Sequence, residues 1–292
     1  MRLRMPILAL CAAAACGGAG TADRVAVMGV DRLSGALSGQ EVELPGADLA
    51  AVRGPAGMFQ VNGVSPDCAL RRKVNGALVA RTLPCVALLG EYATMERARQ
   101  FLLAAGAEAL MPAPVAAGAE AGPGLRYNAA SDSFTLGEGP AGARVPAALN
   151  PGAVAREMAR RQLRGLAETH PEEAEGIALF IGAAASADPG YLAASEAGGD
   201  PTGALDLARP LPDGAPASAV LAGALWAWAD ASGDLTGAAR AALAAARALG
   251  SGPADAAAVL SLVADQLDGA ERDQACAVFR ARLHASGIPA CP

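Results

Sequence analysis

Residues 150–166 read NPGAVAREMARRQLRGL and residues 172–180 read EEAEGIALF, and these two segments govern the interpretation of the whole chain. Asn150 is a preferred helix N-cap, and Pro151 suits a first helical turn, so a helix is expected from there to about Leu166. One side of this helix is apolar: Val154, Ala155, Met158, Ala159, Leu163 and Leu166. The other side carries Arg156, Glu157, Arg160, Arg161 and Arg164, as an ordinary surface helix also would. A second helix is expected after Pro171, with acidic residues near its positive end.

The charged side of the first helix resembles the zinc site of the thermolysin-like, gluzincin class of metallopeptidases. In that family an H-E-x-x-H motif supplies two histidine ligands and a general base for the metal-bound water. A glutamate on the next helix is the third ligand. The matching residues here are Arg156, Glu157 and Arg160, with Glu175 in the place of the third ligand. Leu179 stands where the family continues with an aspartate.

Three further segments resemble the family in the same order. YATMERARQFL (Tyr92–Leu102) is similar to a long helix of its amino-terminal lobe, and YNAASDSFTLGEG (Tyr127–Gly139) to the edge hairpin before the zinc helix. AGALWAWAD (Ala222–Asp230) is similar to a helix that follows the family's acid histidine. That histidine would fall near Ala215, where the sequence has none.

The pattern of the chain predicts an α+β fold, and the resemblance implies a zincin-like arrangement of two lobes. Residues 24–149 would form a mixed, β-rich amino-terminal lobe that ends in an edge hairpin, and residues 150–292 a mostly α-helical lobe. Apolar alternation predicts strands at Arg24–Val30, Glu41–Leu44, Gly57–Val61, Ala77–Leu89, Leu125–Tyr127 and Ser133–Leu136. A helix is expected at Tyr92–Ala105 and a linker at Met111–Gly124. Later helices are expected near Ser218–Ala229, Thr236–Leu249, Ala254–Leu267 and Glu271–Ala285, with Trp226 and Trp228 in the core.

Arginine at both histidine positions argues against zinc chemistry. A guanidinium stays protonated and has no lone pair to give to a metal. At about 4 Å and an effective dielectric near 20, it would repel Zn²⁺ by roughly 8 kcal/mol. We therefore expect no metal, no cofactor and no peptidase activity, with Glu157 as a vestigial base. Either Arg156 or Arg160 is instead expected to contact Glu175, although both could also point into solvent.

The two histidines of the chain do not supply a replacement site. His170 lies in a Thr-His-Pro loop between helices and is interpreted as exposed, and His284 is near the carboxyl end. The alternative function is a peptidase or other hydrolase acting through an unrecognised or non-zinc site. Glu157, Glu175 and another carboxylate could then bind a hard cation, which the two arginines oppose.

Because the resemblance comes without the metal ligands, we mainly expect the protein to bind a partner or to have a structural role. Its partner would be an extended peptide or an envelope protein, and Tyr127, Phe134 and Leu136 on the predicted hairpin are candidates for an edge that accepts a peptide by strand addition. Nucleic acid is not expected as a partner, because the formal net charge is −6.

The amino terminus, MRLRMPILALCAAAAC, has the layout of a secretory signal. Its small residues before Cys16 resemble a lipobox, which predicts a signal peptide over residues 1–15, lipidation of Cys16 and a tether over residues 16–23. The protein would then be anchored to the cell envelope, and Gly17 favours the outer membrane. An ordinary signal peptide cut near Ala15 or Ala22 is the competing interpretation. Cleavage before Cys16 would remove two arginines and change the formal net charge from −6 to −8.

Four further cysteines fall in two neighbourhoods, and an exported chain favours disulfides between them. Three pairings are open, of which we expect the local one, Cys68 with Cys85 and Cys276 with Cys291. A metal-binding role is disfavoured because neither neighbourhood has Cys-x-x-Cys spacing.

Overall fold

The computed structural model describes residues 24–31, 36–117, 125–137, 145–194, 205–212, 214–251 and 254–283, together with Ile288 and Cys291. The predicted signal peptide, Cys16, the tether, the end of the predicted linker, Gly139 and His284 lie outside these residues. The fold is mixed α+β, as predicted. Among the described residues, every strand lies between Arg24 and Leu136. None of their helices combines the length and apolar character that a membrane crossing requires.

The first sheet has four strands in the order β2-β1-β6-β5. They span Arg24–Val30 (β1), Leu37–Glu43 (β2), Leu70–Arg72 (β5) and Leu78–Ala80 (β6). Strand β1 is antiparallel to β2 and parallel to β6, and β5 is antiparallel to β6. In β1, the buried residues Val25 and Val27 alternate with more exposed neighbours. This two-residue period is the pattern that predicted the strand.

The second sheet has five strands in the order β3-β4-β7-β9-β8. They span Arg53–Gly54 (β3), Gly57–Gln60 (β4), Pro114–Ala117 (β7), Leu125–Asn128 (β8) and Ser133–Leu136 (β9). Strands β4 and β9 both run parallel to β7, while β8 and β9 form the predicted antiparallel hairpin. One register row aligns Phe59, Val115, Phe134 and Tyr127 across the sheet, and all four side chains are buried.

Strand β7 corrects the predicted linker at Met111–Gly124. Its small residues between prolines and glycines looked like a connection, but Val115 is fully buried between two neighbouring strands. Pro114, which has no N–H to donate, occupies the first position of the strand, where that loss is tolerated. Strand β7 pairs with β4 at three positions and with β9 at three positions. This pairing stabilises a strand although the composition of the segment is typical of loops.

Helix α1 spans Leu83–Ala104 and is longer than predicted. The prediction of a strand over Ala77–Leu89 was wrong beyond Ala80, because Pro84 fits the first helical turn and the helix starts there. Leu88, Leu89, Tyr92 and Met95 lie on its buried side. A disulfide between Cys85 in the first turn and Cys68 fastens the start of α1 to the segment that leads into β5, which confirms the local pairing.

The carboxyl-terminal half of the described chain is helical. The helices are α2 (Pro151–Gln162), α3 (Arg164–Ala167), α4 (Pro171–Ser186), α5 (Ala217–Ser232), α6 (Leu235–Ala248), α7 (Ala256–Ala264) and α8 (Gly269–Leu283). The first predicted helix is thus interrupted at Leu163, whose ψ of 9° departs from helical geometry. Trp226 and Trp228 are core residues, as predicted. A disulfide joins Cys276 in α8 to Cys291.

Helices α2 and α4 pack closely against each other because glycines face the ring of Tyr191. A Cβ atom added at Gly152 of α2 would lie 2.5 Å from that ring, and one at Gly182 of α4 would be equally crowded. Asn150 caps α2 by accepting from the N–H groups of Gly152 and Ala153, and its Nδ2 donates to the carbonyl of Tyr191 at 2.7 Å. The side chain of Asn150 therefore also holds Tyr191, the residue against which both helices pack.

Two arginines of α6 cap the carboxyl end of α1. Arg240 Nη2 donates to the Ala104 carbonyl at 2.9 Å, and Arg247 Nη2 donates to the Gly106 carbonyl at 2.6 Å. The last turn of α1 has no basic residue of its own. Cations at this end satisfy free carbonyls and oppose the helix dipole, so the helical half stabilises the end of the long amino-terminal helix.

Candidate functional site

The predicted site residues come together between α2 and α4. Arg156 and Arg160 lie one turn apart on α2, and both reach Glu175 in the second turn of α4. Arg156 Nε donates to Glu175 Oε1 at 3.0 Å, and its Nη2 contacts the same oxygen. Arg160 Nε donates to Glu175 Oε2 at 2.7 Å. One carboxylate is thus held by two guanidinium groups, whereas the sequence led us to expect a contact from either one of them.

Glu157 completes this group, which we call the arginine–glutamate cluster: Arg156, Glu157, Arg160 and Glu175. Glu157 Oε1 accepts from Arg160 Nη1 at 2.6 Å, and its Oε2 accepts from the backbone N–H of Tyr127 at 2.8 Å. The residue is only 3% exposed. Both of its oxygens are therefore occupied by donors of the protein itself.

The cluster is largely shielded from solvent. The side chains of Arg156 and Glu175 are 17% and 24% exposed. Burial alone would lower the pKa of the Arg156 guanidinium, but attraction to Glu175, Tyr191 and Glu157 outweighs burial and raises this pKa above its ordinary value. Burial also raises the pKa of the neighbouring Tyr191 phenol. Arg156 and Tyr191 therefore both keep their protons around neutral pH.

These side chains do not fit a zinc ion. Two of the three positions that the resemblance assigns to ligands are arginines, which offer donors only. The remaining carboxylate, Glu175, already accepts from both guanidinium groups. Within the described ranges, no group of three or more His, Cys, Asp or Glu side chains is placed to hold a metal ion. The chemistry available at this site is ion pairing rather than Lewis-acid catalysis.

A second ionic group lies beside the first and was not found from the sequence. Asp132, in the turn between β8 and β9, accepts from Arg161 Nε at 2.8 Å and Nη2 at 2.7 Å, and from the Tyr127 hydroxyl at 2.9 Å. Hydrogen bonding to Arg161 is the main cause that lowers the pKa of Asp132 to about 2. Because 29 positions separate the partners, no local pattern indicated this pair, which fixes the hairpin onto α2.

The three side chains predicted to form a peptide-binding edge lie in the core instead. Tyr127, Phe134 and Leu136 are all buried, and the first two pack ring against ring at 5.3 Å. Strand β8 does form the edge of its sheet, but the N–H of Tyr127 points away from β9 and donates to Glu157. An added strand would have to displace that hydrogen bond, so the middle of this edge is already covered by α2.

His170 corrects another expectation. It was interpreted as an exposed loop residue, yet it is only 6% exposed, and its Nε2 lies 2.9 Å from the Gly250 carbonyl. The interpretation was wrong because the segment after α6 packs against the start of α4, a tertiary contact between residues 80 positions apart. The buried imidazole joins these two segments and is not part of the arginine–glutamate cluster.

The segments that carry the resemblance occupy elements of the expected types. Tyr92–Leu102 lies within α1, the hairpin strands are β8 and β9, and Ala222–Asp230 lies within α5. No protein-family model matches the chain, and no curated protein matches it. These comparisons therefore assign the chain to no family.

Proposed function

We propose that this chain is a catalytically inactive, zincin-like relative of the gluzincin metallopeptidases that works in the cell envelope as a binding or structural module. In this proposal, Arg156 and Arg160 take over the role of the lost metal by neutralising Glu175. The observation that carries it is the convergence of two guanidinium groups on one carboxylate between consecutive helices. Convergence of these particular positions is what descent from a metal site predicts.

The surroundings of Glu157 support the absence of peptidase activity. A general base must reach a water molecule and accept its proton. Glu157 is buried, and its two oxygens accept hydrogen bonds from Arg160 and from the Tyr127 N–H. A carboxylate in this position stabilises the packing of α2 on β8 rather than activating water.

The proposed location follows from the amino-terminal sequence. The basic residues, the apolar run and the small residues before Cys16 together favour export and attachment through a lipid on that cysteine. The two disulfides are in keeping with folding in an oxidising compartment. The module would then act at a membrane surface, tethered through residues 16–23.

Metal analysis of the purified protein, combined with a generic peptide-cleavage assay, tests the proposal directly. We expect substoichiometric zinc, no cleavage, and no gain of activity when zinc is added. One zinc ion per chain, or cleavage that a metal chelator abolishes, would contradict the proposal and favour the alternative of a hydrolase.

Restoring the two histidines tests the relation to metallopeptidases. The double variant Arg156→His with Arg160→His should bind zinc with measurable affinity, because Glu175 is then free to act as a third ligand. A matched triple variant that also carries Glu175→Gln should bind zinc roughly tenfold or more weakly. Circular dichroism of both variants checks that they fold. Folded double and triple variants with equal zinc affinity would show that these positions do not share a metal-site geometry.

A further inference from the structure

A cavity of about 380 Å³ lies next to the arginine–glutamate cluster, between β8, the break after α2 and the start of α4. Its apolar wall includes the exposed Ala167 and Pro171, with the buried Leu163, Ala174 and Tyr127 behind them. Arg160 and Glu175 form a charged boundary whose geometry is fixed by their mutual ion pair. A cavity of this size, whose surface is mainly apolar and whose rim carries charged groups, has the dimensions of a site for a small molecule.

The charges at the rim are not balanced among the residues that the structure describes. Arg126, on β8, forms no ion pair or hydrogen bond among the described residues, although its side chain lines the cavity. Arg164 is 58% exposed and lies 3.8 Å from Asp132, which is a weak pairing. Opposite them, Glu168 also lines the cavity and likewise has no partner among the described residues. Three arginines and two glutamates leave this cavity with an excess of one positive charge.

This balance favours a ligand with one negative charge. A planar carboxylate can accept two parallel hydrogen bonds from a guanidinium group, which Arg126 is free to donate. A phosphate would bring nearly two charges close to Glu168 and Glu175, where repulsion opposes it. The accessible apolar wall formed by Ala167 and Pro171 favours a ligand whose remaining part is aliphatic or aromatic.

We propose that this cavity binds a small organic monocarboxylate with an apolar body, with its carboxylate on Arg126 and Arg164 and its body against Ala167 and Pro171. The inference deepens the proposed function, since it gives the inactive domain a class of ligand. It does not depend on the ancestry of the cluster, because it uses Arg160 and Glu175 only as a rigid wall.

Calorimetric titration with 4-phenylbutyrate and with its uncharged amide tests the inference. The acid should bind with saturation, and the amide roughly tenfold or more weakly, because it cannot form a charge-assisted pair. Arg126→Ala should weaken binding of the acid by a similar factor, while Arg126→Lys should restore part of it. Glu168→Gln should strengthen binding by removing repulsion. Arg71→Ala, at an exposed position on β5 in the other sheet, is the control and should leave binding unchanged.

Several outcomes would overturn the inference. Equal binding of the acid and the amide would show that charge is not recognised, and an unchanged affinity in Arg126→Ala would exclude the proposed contact. Binding of the acetylated peptide Ala-Ala-Leu with a free carboxylate, without binding of 4-phenylbutyrate, would assign the cavity to peptide termini instead. None of these titrations measures zinc or cleavage, so a failure here is distinguishable from a failure of the proposed function.

Discussion

The backbone N–H of Tyr127 donates a hydrogen bond to Oε2 of Glu157 at 2.8 Å, which joins the edge strand β8 to the helix α2. The donor faces away from β9, and the acceptor is a buried carboxylate that the proposed resemblance equates with a peptidase base. The same carboxylate also holds Arg160. A residue type associated with catalysis is thus used to close a sheet edge.

We predict that Glu157→Ala lowers the free energy of unfolding by roughly 2 kcal/mol, because the buried N–H of Tyr127 loses its acceptor. Glu157→Gln keeps an oxygen for that N–H but loses the charge opposite Arg160, so its effect should be smaller. Chemical denaturation of the three proteins measures the difference. Equal losses in both variants would mean that the charge, rather than the acceptor, matters at this position.

The second prediction concerns coupling within the arginine–glutamate cluster. Glu175→Ala leaves two partly buried guanidinium groups without their main partner, whereas a triple change of Arg156, Arg160 and Glu175 to Ala leaves none. We compare the free energies of unfolding lost in Glu175→Ala and in the double change of Arg156 and Arg160 to Ala with the loss in the triple variant. The sum of the first two losses should exceed the loss in the triple variant by about 1 kcal/mol or more. Denaturation of the full variant cycle gives this coupling energy.

A matched control for that cycle is the exposed pair of Arg209 and Asp206, which lie 2.9 Å apart with the arginine 81% exposed. Its coupling should be within about 0.5 kcal/mol of zero, as for most surface pairs. Additive losses in the cluster, no larger than those of this control, would remove the argument that the cluster is coupled.

The third prediction is a dependence of stability on pH that comes from Asp132. Because Arg161 lowers the pKa of this carboxyl from 3.8 to about 2, its contribution is complete above pH 4 and is lost as the pH falls toward 2. The carboxylate is partly exposed, so solvent screening reduces the contribution to roughly 1 kcal/mol.

Asp132→Asn is the matched variant, since asparagine tolerates the left-handed backbone at this position, where φ is 45°. Unfolding of the wild type and the variant should be compared at several pH values between 2 and 5. The two proteins should differ most above pH 4 and converge near pH 2. A constant difference across this range would exclude the carboxylate as the cause.

The fourth prediction concerns the disulfides. Non-reducing peptide mapping should recover Cys68 with Cys85 and Cys276 with Cys291. The bonds close loops with sequence separations of 17 and 15, so removing either by a paired change to alanine should lower stability by about 3 kcal/mol. Crossed pairs or free thiols in the mapped protein would refute this connectivity.

The fifth prediction tests the anchor. Cys16→Ser should abolish lipidation, because serine lacks the thiol that forms the thioether, and the protein should move from the detergent phase to the aqueous phase. Phase partitioning of the wild type and the variant, with mass spectrometry of the mature amino terminus, measures this. A wild type that is unmodified and found in the aqueous phase would exclude the lipoprotein assignment.

Features set by neighbouring residues were predictable from the sequence. The cap at Asn150, the start of α4 at Pro171 and the hairpin from Leu125 to Leu136 all depend on side chains a few positions apart. A contact of either Arg156 or Arg160 with Glu175 was predicted from motif positions on two consecutive helices, and the structure shows that both make it.

Features that depend on distant partners were not predictable. Strand β7 is stabilised by neighbours on both sides rather than by its own composition, and His170 is buried by a segment 80 positions away. Asp132 and Arg161 gave no signal because each looks like an ordinary surface residue in its own segment. One sequence holds no information about which of many charged residues meet in such pairs.

The capping of α1 by Arg240 and Arg247 constrains the order in which the protein can mature. The carbonyls of Ala104 and Gly106 meet their partners only after 136 and 141 further residues have followed. The turn at Gly106 closes the end of α1 locally, since the N–H groups of Gly106 and Ala107 donate to carbonyls of the last helical turn, and α6 later adds the two arginine donors. A chain that ends before α6 would lack both arginine donors, so the carbonyls of Ala104 and Gly106 would have only water as a partner.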